Sequence, residues 1–121
     1  MDVVVTVPKF FQYGGKMGLA AWIAEGDPAG APWSGQLWAF SINGKPTIAP
    51  GERVYVVCEG KLRGYAPLVA VERGMDGKWN LIRGGDAVAV TLPGPLRGFQ
   101  GYRYRWWQYS LEIPSPAWAT P

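Results

Sequence analysis

The chain of 121 residues contains no histidine. That absence removes histidine-dependent triads, imidazole acid–base chemistry near neutral pH and nearly every catalytic zinc site. An enzyme built on this chain would have to use lysine, tyrosine or carboxylates. There is a single cysteine, Cys58, so no disulfide framework exists and a reducing compartment is compatible. Cys58 falls on the apolar side of its run and reads as a small buried hydrophobe rather than a nucleophile. Charge is also scarce: 17% of residues are charged and the formal net charge is +3, which permits a nucleic-acid partner but falls short of a histone-like or membrane-surface field. No run of about 18 apolar residues is present. Nor is there a charged-then-apolar leader with a cleavage site, and the sequence therefore predicts a soluble, cytoplasmic protein with no membrane association. The carboxylates at Glu25, Asp27, Glu52, Glu59, Glu72, Asp76, Asp86 and Glu112 are scattered without the spacing of a general-acid pair or a metal cage. No metal and no cofactor are expected.

Glycine, proline and aromatic rings are what the chain has in abundance. Seventeen Gly and 11 Pro among 48% hydrophobic residues point to many turns and short strands. We read one domain over residues 1–121, mainly β with one or two short helices, ending in a proline-rich tail over 114–121 that Trp118 could anchor. Seven Trp, six Tyr and four Phe are more large rings than so small an interior hides with ease, so some should be exposed.

In chain order, residues 3–7 are a β-branched strand buried on both sides and stopped by Pro8. After the Gly14-Gly15 break, residues 16–25 have the apolar spacing of a short helix ended by Gly26 and Pro28. Residues 26–35 form a Pro/Gly-rich loop with Trp33 in its middle, 36–42 a strand, and Asn43-Gly44 a tight turn. Strands follow at 79–83 and 87–92. In the last run, 102–113, Tyr102, Tyr104 and Trp106 lie opposite Arg103 and Arg105, yet the apolar set resumes on Trp107, Tyr109, Leu111 and Ile113. A bulge near Trp106-Trp107 would reconcile the halves.

The run 51–73 organises the rest: two β-rich segments joined by one short turn. A two-residue turn at Glu59-Gly60 would set Arg63 across from Val56 on the apolar face, whereas a three-residue Glu59-Gly60-Lys61 loop sets Cys58 across from Leu62 and Val54 across from Ala66. Burial favours the longer loop. The opposite face then carries Arg53, Tyr55, Arg63 and Tyr65.

The run GERVYVVCEGKLRGYAPLVAVER, preceded by Pro50, resembles the proline, Gly-Asp/Glu, strand, turn and Gly-containing return strand of ASCH and EVE domains in the PUA-like superfamily. That resemblance implies a small PUA-like β-barrel of mixed strands that engages RNA or a modified base at the barrel rim and the neighbouring helix and loop. ASCH domains resembling a ribonuclease carry a Gly-x-Lys-x-x-Glu-x-Arg run. Here Gly14-Gly15-Lys16 matches its first places, but Leu19 and Ala21 stand at those of Glu and Arg.

Three constellations carry candidate chemistry. Arg53, Tyr55, Arg63 and Tyr65 combine bidentate phosphate donors with stacking planes. Arg103, Arg105 and Trp106 interleave charge and rings as on a single-strand platform. Lys16, beside Tyr13 after the Gly-Gly turn, suits an anion. The reading these support is a non-enzymatic module that binds RNA, single-stranded DNA or a modified base through Lys16, Trp33, Arg53, Tyr55, Arg63, Tyr65, Arg103, Arg105 and Trp106. Two alternatives stand beside it: an ASCH-type ribonuclease of low activity using Lys16 and Tyr13, and a protein-interaction adaptor using exposed rings.

Overall fold

The computed structural model describes residues 1–10, 12–13, 15–20, 37–42, 44–84 and 87–115. Strands dominate them. They are β1 (Val3–Thr6), β2 (Gln12–Tyr13), β3 (Lys16–Met17), β4 (Leu37–Ile42), β5 (Arg53–Cys58), β6 (Lys61–Arg73), β7 (Trp79–Arg83), β8 (Val88–Thr91), β9 (Tyr102–Tyr104) and β10 (Ile113–Pro114), with a 3₁₀ turn at Tyr109–Leu111. The mainly β reading of the sequence holds. Eight strands form one mixed sheet of order β10-β8-β6-β5-β1-β9, with β7 joined to β6 and β4 to β7. β1 runs parallel to β5, and the other pairings are antiparallel.

Alternation along β1 and β5 explains how both faces are covered. Val3, Val5, Val7, Val54, Val56 and Cys58 pack with Ile42, Ala66, Leu68 and Leu81 on one side. Val4, Tyr55 and Val57 pack with Leu62, Val90 and Trp107 on the other. A strand in such a position has no wet face, hence the nearly unbroken valine runs of β1 and β5. β6 is long enough to serve two partners: its first half pairs with β5 and β8, and its second half, after a register shift near Val69, pairs with β7.

The central hairpin corrects the expected loop. Cys58 and Lys61 are partners, so the turn is the two-residue Glu59-Gly60. Its φ angles of 53° and 78° are the two positive values that a type I′ turn requires. A bulge follows, with Val57 opposite Leu62 and Val56 opposite Gly64, which leaves Arg63 as the extra residue and restores the Val54–Ala66 pairing. The bulge thus keeps the two-residue turn from setting Arg63 across from Val56 on the apolar face.

Three other expectations change. Lys16 and Met17 are not the start of a helix but the return strand of a hairpin, with Tyr13 and Lys16 as partners. A two-residue glycine link is itself a hairpin signal. Of the expected helix, Gly18, Leu19 and Ala20 are helical among the described residues, while its residues 21–25 and the Trp33 loop lie outside them. The tight turn read at Asn43-Gly44 includes Asn43, which lies outside the described residues, and β4 pairs with the distant β7. Finally, 102–113 is no single bulged strand. β9 ends at Tyr104 on one edge of the sheet, and β10 begins at Ile113 on the other. The change of apolar phase marks two strands with a strap, residues 105–112, laid between them. The sheet therefore stays open: its edge strands, of three and two residues, do not meet as the expected barrel would require.

Candidate functional site

The strap crosses the face of the hairpin on which Tyr55 stands, and two buried carboxylates hold it there. Glu112 accepts from Arg53 Nη1 at 3.1 Å, from the Tyr55 hydroxyl at 2.5 Å and from Trp107 Nε1 at 2.9 Å. Asp2 accepts from the Arg53 backbone N–H at 2.8 Å, from Arg105 Nε at 3.1 Å and from the Tyr109 hydroxyl. The Tyr109 ring lies between two guanidinium groups, with the Arg53 and Arg105 carbons 4.4 and 4.1 Å from its centroid. Arg53 also lies 4.2 Å from the Tyr65 centroid, and Arg105 donates to the Trp107 carbonyl.

These contacts set the protonation of the cluster. Burial works to raise the Asp2 carboxyl, but the hydrogen bonds from Tyr109, the Arg53 backbone and Arg105 outweigh it and hold the group below the ordinary aspartate value. Burial, and then the bond donated to Glu112, push the Tyr55 phenol well above the tyrosine range. The bond to Asp2, followed by burial, raises Tyr109. Burial and the neighbouring Glu59 raise the Cys58 thiol, which fits a buried, inert cysteine. Asp2 is charged, and Tyr55 and Tyr109 are neutral donors, throughout the physiological range. The cluster is a fastening in which both arginines are already committed.

An exposed patch continues from it. Tyr65, Tyr55 and Trp107 form a chain of edge-to-face rings at 5.2 and 5.1 Å, extended by Trp106 at 5.0 Å and Phe99 at 6.4 Å. The chain passes through fully buried Tyr55 and reaches the surface at Trp106, which is 52% exposed. There Arg103 stacks its guanidinium 4.6 Å from the Phe99 centroid. Arg103 is exposed and makes no salt bridge among the described residues. Its position follows from the sheet: Arg103 pairs with Val4 on β9, so its side chain shares the face of Val4 and Tyr55, with Tyr102 and Tyr104 opposite. The Phe99 backbone N–H donates to Thr6 Oγ1 at 3.1 Å and ties the loop before β9 to the end of β1.

The chain matches no known family model, curated protein or solved structure.

Set against the sequence reading, the expected constellations regroup. Arg53, Tyr55 and Tyr65 do share one face, but under the strap rather than open to solvent, and Arg105 is in the same fastening. Arg63 is drawn away from them and donates from Nε to the Cys58 carbonyl at 2.9 Å. Arg103 and Trp106 come together at the surface. Lys16 is brought opposite Tyr13 in a separate hairpin, and Trp33 lies outside the described residues. Sequence reasoning missed Phe99, Asp2 and the role of Glu112. A ring between Gly98 and Gln100 in a proline-bounded loop, and a lone carboxylate among aromatic residues, were the available signals. No group of three or more metal-ligating side chains occurs among the described residues. No helix among them is long and apolar enough to cross a membrane.

Proposed function

We propose that the protein is a nucleic-acid-binding module that takes single-stranded RNA or DNA at Arg103, Phe99 and Trp106. The observation that supports this reading best is Arg103: an exposed guanidinium stacked on the half-buried Phe99 ring, beside the exposed ring of Trp106, with no carboxylate on it. Arginine in that setting meets a phosphate, and the ring faces offer bases a stacking surface. The rings are backed by the buried Tyr55–Trp107 pair, so their orientation is set before any ligand arrives and less ordering cost falls on binding. Exposed Arg97, two residues from Phe99, adds charge to the same loop. Arg53, Arg105 and Tyr55 act in this reading as the support of the patch rather than as contacts.

Fluorescence anisotropy with short RNA, single-stranded DNA and duplex probes, at low and physiological salt, tests the proposal. Single strands should bind more tightly than duplex, with affinity that falls as salt rises. Failure of every probe to bind at low salt would exclude it. The Tyr13–Lys16 pairing keeps a ribonuclease reading in view, and loss of intact single-stranded RNA during that incubation, abolished by Lys16→Ala, is its signature.

A further inference from the structure

Arg63 is 8% exposed, yet the protein gives its guanidinium a single partner. Nε donates to the Cys58 carbonyl, and the two terminal nitrogens have no hydrogen bond or ion pair among the described residues. They are not sealed in the core either, because Arg63 lines two adjoining cavities of about 310 and 350 Å³. Leu19 is shared by both. The first adds Leu62, Leu92 and Pro93 with Lys61 at its margin, and the second adds Lys9 and Glu59. Each cavity therefore has two cations in its lining, Arg63 with Lys61 in the first and Arg63 with Lys9 in the second, and Glu59, the one carboxylate of the second, makes no salt bridge with either of its cations. A charge taken this far out of water without a counter-charge is costly, and proteins keep such a group paired unless a ligand completes it.

The geometry points to a site for a small oxyanion carried on a compact apolar body. The terminal guanidinium nitrogens take two oxygens of a phosphate ester or carboxylate end-on, Lys61 and Lys9 supply further charge, and the body lies against Leu19, Leu62 and Leu92. Cavities of this size are at the lower end of the range of about 300–1,000 Å³ typical of ligand pockets. The bulge explains why this residue is here: as the extra residue of the hairpin, Arg63 is released from the alternation that would have sent it to the Tyr55 face. The site is separate from the Arg103 patch and does not rest on it.

Calorimetric titration of the full chain with phenyl phosphate, benzoate and inorganic phosphate tests the assignment. Saturable binding of phenyl phosphate or benzoate is expected, and which of the two binds more tightly identifies the head group. Arg63→Met should weaken binding by at least ~10-fold, while Arg103→Ala leaves it unchanged. Inorganic phosphate binding as tightly as either organic anion would refute the apolar body, and no binding by any of the three would refute the site. Should Arg63→Met fail to fold, amide shifts in the unaltered protein decide the matter. Perturbation by phenyl phosphate centred on Leu19, Leu62 and Leu92 supports the site, and perturbation centred on Arg103 and Phe99 overturns it.

Discussion

Glu112 satisfies three donors at once, and each comes from a residue whose position depends on the others: Arg53, Tyr55 and Trp107. Truncation leaves the Tyr55 hydroxyl and the Trp107 N–H buried without an acceptor. Glu112→Ala should therefore cost about 2–3 kcal/mol in urea unfolding, and a loss under about 0.5 kcal/mol, the range of ordinary surface changes, would refute the fastening role. The pH profile is fixed by the same residues. Asp2 titrates below its unfolded value of about 3.9, so its contribution is present above that pH and is lost as pH falls through the lowered folded value. Tyr55 titrates above its unfolded value of about 10, so its contribution is present below that pH and is lost as pH rises beyond it. Unfolding free energy measured against pH should accordingly fall at both ends, with Asp2→Asn flattening the acid limb and Tyr55→Phe the alkaline one.

The strap sorts adjacent tryptophans into opposite roles. Trp107 is buried against Tyr55 and bonded to Glu112, and its truncation should cost about 3–5 kcal/mol. Trp106→Ala should fall within about 0.5 kcal/mol of the unaltered protein in the same assay. Gly60, at φ 78° with open space around it, should lose about 1 kcal/mol when replaced by alanine, from backbone strain alone. At this scale the sequence was legible where one rule sufficed. The continuous valine run of β1 implied burial on both faces, and the strand expected at 79–83 is β7. It was not legible where two local choices compensate: a two-residue turn plus a bulge gives the same Val54–Ala66 register as a three-residue loop. Nor does apolar phase distinguish one kinked strand from two strands at opposite edges, because the difference lies in pairings with β1 and β8, far away in the chain.

For the whole molecule, both faces of an open sheet must be covered, and 93–112 covers the Tyr55 face. The covering segment consumes Arg53, Tyr55 and Arg105, which the sequence presented as free chemistry, and turns its own Arg103 and Trp106 outward beside half-buried Phe99. Charge and ring content could indicate that a patch exists, whereas which arginine remains unpaired is decided by tertiary contacts with Asp2 and Glu112. The most direct test compares the salt dependence of single-strand binding by the unaltered protein, Arg103→Ala and Trp106→Ala. Arg103→Ala should weaken binding and reduce the slope of log K against log salt by about 0.7, one phosphate contact on a single strand. Trp106→Ala should weaken it by about 1–3 kcal/mol with the slope unchanged. If both variants bind as the unaltered protein does, with the same slope, nucleic acid is not bound at this patch.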